Sequence, residues 1–320
     1  MQKTAFLILF LLPFIVVGQT DTSQTKSKSR SKWQSGEGMK VFYSQKLINA
    51  NTVEVLPKGI MEFRVSHAFE DIGGIRGGEK NFFGLESSTD VRIGFQAGLT
   101  KNLNVLISRS KGSGPNTTPQ HLYELGLKYQ FIRQEENDPG HPLSITLFAN
   151  SVISSMVASD TTIYESSYSK FSDRASEVVQ LMIARKFGKV SFQLSPTIVT
   201  RGHVIAGDDK TLFAIGAAVR VPITPHFVFI ADYFHTFRSQ ESKDAFADPV
   251  QGSHTFYDAL GAGFEILTAG HVFHLNFTNA TDLLENRFIS STYRSWGKKE
   301  FRWSFTISRN FRIFKDKKNK

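Results

Sequence analysis

The chain has 320 residues, of which 40% are hydrophobic and 12% aromatic, enough apolar surface to build a large core, so disorder is not its default state. With no cysteine it has no disulfide, no thiolate chemistry, no zinc–thiolate site and no anchor point for lipid attachment after export. The formal net charge of +9 is concentrated at the ends, in Lys26, Lys28, Arg30 and Lys32 and in the Lys315–Lys320 tail, and the body between them is close to neutral. On an exported chain such tails read as solvated segments rather than a nucleic-acid surface.

Residues 1–18 read as a signal peptide, with Lys3 as the positive n-region and an apolar run from Ala5 to Val17. That run holds 13 residues, short of the ~20 a membrane helix needs, which predicts cleavage before Gln19. Residues 19–40, rich in Ser, Thr, Lys and Gln, are expected to be a disordered basic linker. Residues 41–58 form an irregular lead-in, expected to cover the periplasmic mouth or to add a short strand.

From 59 to 314 the pattern becomes regular. In 60–69, Met61, Phe63, Val65 and Phe69 share one face, with Glu62, Arg64 and Ser66 on the other. The same period of two runs through 89–98 (Val91, Ile93, Phe95 against Asp90, Arg92, Gln96) and 121–131 (Tyr123, Leu125, Leu127 against Glu124, Lys128, Gln130). It returns in 190–199 and 301–313. Weaker strands are predicted at 103–109, 143–153, 177–187, 211–221, 226–238, 255–266 and 271–278. Segment 226–238 is apolar on both faces, and 177–187 alternates only from Val179.

The connections alternate between short and long. Short ones fall at 99–102, 188–189, 222–225 and 267–270, with a medium one at 134–142, and long ones at 70–88, 110–120, 154–176, 200–210, 239–254 and 279–300. That pattern predicts an all-β fold, a closed antiparallel up-and-down transmembrane barrel of about 12 strands, within a range of 10–14. Ten residues at ~3.3 Å, tilted ~40°, give a height of ~25 Å, that of the apolar band. A secreted β-sandwich that binds a partner is the competing architecture. Its strands are shorter and its loops do not sort into two length classes.

Glu62, Arg64, Asp90, Arg92, Glu124, Lys128, Glu265, His274 and Asn276 fall on inward faces and are expected to form a polar lumen network, structural or pore-lining. Ala214, Gly216, Ala218, Ala259, Gly261 and Gly263 are inward positions that leave room. The segment Gly270 to Asn279 invites a catalytic reading, as in lipid-modifying barrels, but His271 and His274 point to opposite faces. No catalytic or metal residues and no cofactor are assigned. Phe311 and Phe314 close the last strand as a candidate signal for the barrel assembly machinery, which, with outer-membrane lipid, is the only partner implied.

Leu56-Pro57-Lys58-Gly59 leading into Phe63-Arg64-Val65-Ser66-His67, together with Asn81-Phe82-Phe83-Gly84-Leu85, resemble an uncharacterised family of Gram-negative outer-membrane β-barrels, a domain of unknown function. Ser144 to Phe148, Leu181 to Phe187, Gly270 to Asn279 and Phe305 to Phe311 carry the likeness onward, so it spans Leu47 to Phe311. The family continues after the histidine with Arg-Phe-Gly, whereas this chain has Ala68-Phe69-Glu70. The resemblance implies an outer-membrane barrel and no activity. The expected topology has both termini periplasmic and the long loops extracellular.

Overall fold

The computed structural model describes residues 39–314 apart from 75, 137, 160–163 and 248–252. The expected signal peptide, most of the expected basic linker and residues 315–320 lie outside the described residues. Twelve strands follow in order: β1 (Ile60–Asp71), β2 (Ser88–Gly98), β3 (Leu103–Ser110), β4 (Leu122–Ile132), β5 (Ser144–Ser154), β6 (Ala175–Phe187), β7 (Val190–Arg201), β8 (Thr211–Pro222), β9 (Phe227–Phe237), β10 (Ala259–Leu267), β11 (Val272–Thr278) and β12 (Arg302–Arg312). Each pairs antiparallel with its sequence neighbours, and β12 returns to β1 with Ile60 opposite Arg312 and Ser66 opposite Thr306. Closure matters because an open edge cannot be hydrated inside hydrocarbon. Among the described residues no helix is long and apolar enough to cross a membrane.

Alternation sets the two faces. On β4, Leu122, Glu124, Lys128 and Gln130 are buried in the lumen, while Tyr123, Leu125, Leu127, Tyr129 and Phe131 are exposed on the outer wall. Aromatic residues crowd both ends of that wall. Tyr129, Phe131, Phe187, Phe192, Phe311 and Phe314 stand toward the short turns, and Phe69, Tyr123, Phe213, Phe237 and Trp303 toward the long loops. Two such girdles bracket a membrane-embedded band. One flaw in the ladder has a local cause: pairing between β6 and β7 lapses between Gln180/Thr197 and Ile183/Leu194, where Pro196 has no N–H to offer.

The segment 41–56 takes neither of its expected places. It runs inside the barrel as a hairpin, with Lys46 bridged to Asn51, and with Leu47 N–H donating to Ala50 O at 2.9 Å and Thr52 N–H to Gln45 O at 3.1 Å. Glu54 Oε1 closes its base by accepting from the N–H groups of Val41 (2.9 Å) and Phe42 (3.0 Å). At a wet mouth its apolar residues would be exposed. In the lumen Val41, Phe42, Leu47, Ile48, Ala50 and Val53 are buried in one cluster with Val178, Met182, Ile230 and Phe234.

This cluster corrects the expectation of a polar interior. The lumen is polar along β1–β4 and β7 and apolar along much of β6, β8 and β9. It also explains why 226–238 reads as apolar on both faces: Val228, Ile230 and Phe234 pack inward, while Phe227, Phe229 and Tyr233 face outward. The small residues of β8 and β10 make the space. A Cβ at Gly216 would lie 2.5 Å from the Phe234 ring, and one at Gly261 would lie 2.7 Å from Ile48. Gly216→Val should therefore destabilise the barrel by ~1–3 kcal/mol through overpacking, read as a lower midpoint of heat-modifiable mobility. An unchanged midpoint would contradict this packing.

Candidate functional site

The inner wall is built to hold the hairpin. Asp232 of β9 accepts from three consecutive backbone N–H groups, Ile48 (3.1 Å), Asn49 (2.7 Å) and Ala50 (2.9 Å), and from Asn49 Nδ2 (2.9 Å). Gln193 of β7 accepts from Val53 N–H at 2.9 Å and donates to Asn51 O at 2.6 Å. Asn104 of β3 makes a reciprocal pair with one residue, accepting from Leu56 N–H at 2.7 Å and donating to Leu56 O at 3.0 Å. Thr146 of β5 and Gln130 of β4 both donate to Val53 O. A hairpin interior to a barrel must find partners for its backbone, and side chains from the strands supply them.

All nine inward residues expected from the sequence are buried. Arg64 pairs with Glu62 at 2.9 Å and donates to Lys46 O at 3.1 Å. Arg92 pairs with Glu124 at 2.5 Å, and Glu124 also accepts from Ser108 and from Asn150 at 2.7 Å. Lys128 donates to Gln45 O at 3.2 Å. Asp90 accepts from Ser110 Oγ, Gly112 N–H and Leu283 N–H. Glu265 pairs with Arg220 at 2.8 Å. The residues do not meet across an empty lumen: Arg64, Lys128, Glu265 and His274 all touch the hairpin. Asn276 is the exception, buried with neither side-chain polar atom hydrogen-bonded.

From the opposite end, the 279–301 connection folds inward. Its Glu285–Phe288 helical turn is buried throughout. It is held by Asp282, which accepts from Ser113 N–H (2.9 Å) and Oγ (2.7 Å), and by Arg287, paired with Glu165 at 2.9 Å. Both charges of the pair joining the two inserts are buried: Lys46 of the hairpin bonds Glu285 of the loop, and Asn51 Nδ2 donates to Glu285 at 3.0 Å. Beyond this contact a vestibule of about 740 Å³ opens among the long loops. Arg76, Lys111, Lys298, Glu70 and Glu300 line it, with Tyr257 and Tyr293. Burial, then the Glu165 carboxylate, raises the Tyr293 hydroxyl well above the ordinary phenol range. Burial and then Arg294 hold His254, stacked 4.5 Å from Tyr293, below the usual imidazole value, so it is neutral at pH 7.

Residues 42–311 match the profile of a family described as "Membrane bound beta barrel domain (DUF5777)". The chain belongs to this family. No curated relative matches by sequence. Among solved structures, the NanC porin superposes with a TM-score of 0.45 at 6% identity, covering 78% of this chain and 98% of its own. An outer membrane channel of Pseudomonas putida F1 (COG4313) gives 0.41 at 13%, covering 81% and 98%. LpxR from Salmonella typhimurium gives 0.35 at 12%, covering 79% and 99%. At these scores the likeness is one closed barrel to another.

In this DUF5777 barrel the two histidines of β11 and its preceding turn stand apart. His271 lies beside the short turn, 5.9 Å from the Phe273 ring, and its backbone N–H is bonded to Thr268 Oγ1. His274 is buried, with Nε2 3.2 Å from Ser44 Oγ and Nδ1 3.3 Å from Leu47 O. Ser44, His274 and Glu265 resemble a nucleophilic triad in composition only. Glu265 takes the Ser44 hydroxyl directly at 2.5 Å, and a main-chain carbonyl, not a carboxylate, holds His274 Nδ1. The trio anchors the hairpin. At the β4–β5 turn, Glu135, Asp138 and His141 converge, but Asp138 is already bonded to His141 at 2.7 Å.

The sequence reading missed Ser44, Lys46, Asn49, Asp232 and Glu285. Asp232 was the one with a readable signal: a lone acid in an otherwise apolar strand needs a donor-rich partner somewhere.

Proposed function

We propose that this protein is a non-enzymatic outer-membrane barrel whose lumen is sealed at rest by two inserts, the 41–56 hairpin and the 279–292 loop. The observation that supports the seal is the buried Lys46–Glu285 contact, where the inserts meet. Glu62, Arg64, Asp90, Arg92, Glu124, Lys128, Glu265 and His274 then serve as the seat of the hairpin and loop rather than as pore lining. In this reading the short turns and both termini are periplasmic and the long loops extracellular, following the length classes of the connections. The hairpin enters from the short-turn end, where Met39 N–H donates to Gln134 O at 3.1 Å.

Proteoliposomes carrying the full chain should swell no faster than empty ones in small sugars, and porin-like swelling would overturn the seal. A second reading, small-solute passage, is favoured by the vestibule, whose mixed charges and tyrosines would collect solute above the loop. It requires the inserts to move. Phospholipid turnover by the purified protein would count against the non-enzymatic assignment.

Assembly follows the end of β12. Phe311 lies opposite Met61 on the outer wall and Phe314 packs over Gly59, so both sit where β12 closes on β1. Mutating Phe311→Ala and Phe314→Ala together should abolish membrane assembly, and normal heat-modifiable mobility in that variant would refute their role as the assembly signal.

A further inference from the structure

The outer wall is not uniformly smooth. An apolar groove of about 450 Å³ crosses it from β6 to β10. Its floor lies where outward positions are small, at Ala217 of β8 and Ala231 of β9, and its walls are Phe192 and Leu194 of β7, Tyr233 of β9 and Leu260 of β10.

Strand register fixes its course. Arg185 lies opposite Phe192, Phe192 opposite Val219, Val219 opposite Ala231, and Ala231 opposite Ala262, in one continuous cross-strand row that carries the Phe192 wall and the Ala231 part of the floor and gives the groove its direction toward β10. Arg185 stands near the short-turn end of β6, whereas Ala262 lies in the middle of β10. The row therefore climbs from the rim into the apolar band, as strand tilt requires. Four strand spacings of ~4.8 Å make it ~19 Å long, the reach of an extended acyl chain.

Charge marks the lower end. Arg185 is exposed, with its guanidinium 4.8 Å from the centroid of the Phe187 ring, and it forms no ion pair with a carboxylate among the described residues. Lys189 is exposed in the turn that follows. Unpaired cations at headgroup depth, beside a trough rising into hydrocarbon, complement a phosphate with an attached acyl chain. The aromatic ring under Arg185 fixes its height at the interface.

We infer that this groove seats one glycerophospholipid, its phosphate on Arg185 and one acyl chain lying over Ala217 and Ala231. The choice of a glycerophospholipid over a lipid A-type glycolipid rests on the proposed periplasmic position of the short turns. The site differs from the general lipid annulus in having a small-residue floor and a dedicated cation.

Native mass spectrometry of the full chain, titrated with phosphatidylglycerol, tests it. One lipid should survive activation that strips the rest. Filling the floor with Ala217→Leu and Ala231→Leu should lower its occupancy about fivefold, and Arg185→Gln about threefold. Ala149→Leu, an outward position of β5 away from the groove, should leave occupancy unchanged. Heat-modifiable mobility confirms that each variant is a folded barrel. No retained lipid in the native chain, or equal loss in all the folded variants, overturns the site. Retention of lipid A in preference to phosphatidylglycerol through the same residues overturns the lipid assignment and the orientation beneath it. Neither result touches the seal, which conductance reads separately.

Discussion

Deleting residues 41–56 should convert a silent barrel into a conducting one. The hairpin fills the lumen on the short-turn side and contributes Val41, Phe42, Leu47, Ile48 and Val53 to the internal core. Without it, Asp232, Gln193 and Asn104 lose their backbone partners and become free to bind water. The 279–292 loop remains, held by Asp282 on Ser113 and Arg287 on Glu165, so the deletion should give discrete steps of modest size rather than a wide pore. Because the deletion also exposes Ile230 and Phe234, a milder variant supports the test. Lys46→Met with Glu285→Gln removes both charges of the contact and avoids leaving one buried alone. It should show intermittent openings. A folded deletion variant that stays silent would assign the seal to the loop alone.

Asp232→Ala should be among the most damaging single substitutions in the barrel. The carboxylate is 2% exposed and satisfies four donors of the hairpin tip. Leaving buried N–H groups without an acceptor costs ~1–3 kcal/mol each, less whatever water recovers, so a total near ~3–5 kcal/mol is expected. The variant should unfold at lower temperature in detergent and leak in bilayers, since the hairpin is released as the fold weakens. Asp232→Asn keeps the shape and one acceptor oxygen and should fall between. Native stability in Asp232→Ala would mean the hairpin is held by apolar packing alone.

Much of this architecture is legible in the sequence because a membrane barrel writes both solvents into each strand. β1 alternates as far as Phe69 and β4 as far as Phe131, since one face meets lipid and the other meets mostly polar side chains. The strand limits and the alternation of short and long connections follow from that pattern. What escaped were the residues whose environment is set by another part of the chain. Strand β9 lost its alternation because its inner face packs on the hairpin, and the hairpin is too short to carry a period of its own. The 279–301 connection reads as an ordinary polar loop, yet Glu285, Asn286 and Arg287 are buried, because their partners Lys46, Ser176 and Glu165 come from distant segments. Asn276 shows the reverse case. Its inward position was plain from period two, but position alone did not give it a hydrogen bond.

The lumen residues gained a different role for the same reason. Mixed charges on inward faces suggested neighbours facing one another, and Glu62–Arg64 and Arg92–Glu124 do pair. Arg220 and Glu265 pair as well, while Arg64, Lys128, Glu265 and His274 also reach the hairpin and Asp90 reaches the loop at Leu283. A barrel whose polar side chains satisfy the backbone of an insert has committed them to holding it, which is the physical basis for reading the lumen as closed.

That closure is tested most directly by single-channel recording of the full chain in planar bilayers, with the folded state confirmed by heat-modifiable mobility. The sealed barrel predicts a silent baseline at moderate voltage, with steps appearing only after the hairpin is deleted or the Lys46–Glu285 contact is removed. Steady open-channel conductance from the unmodified protein would contradict it.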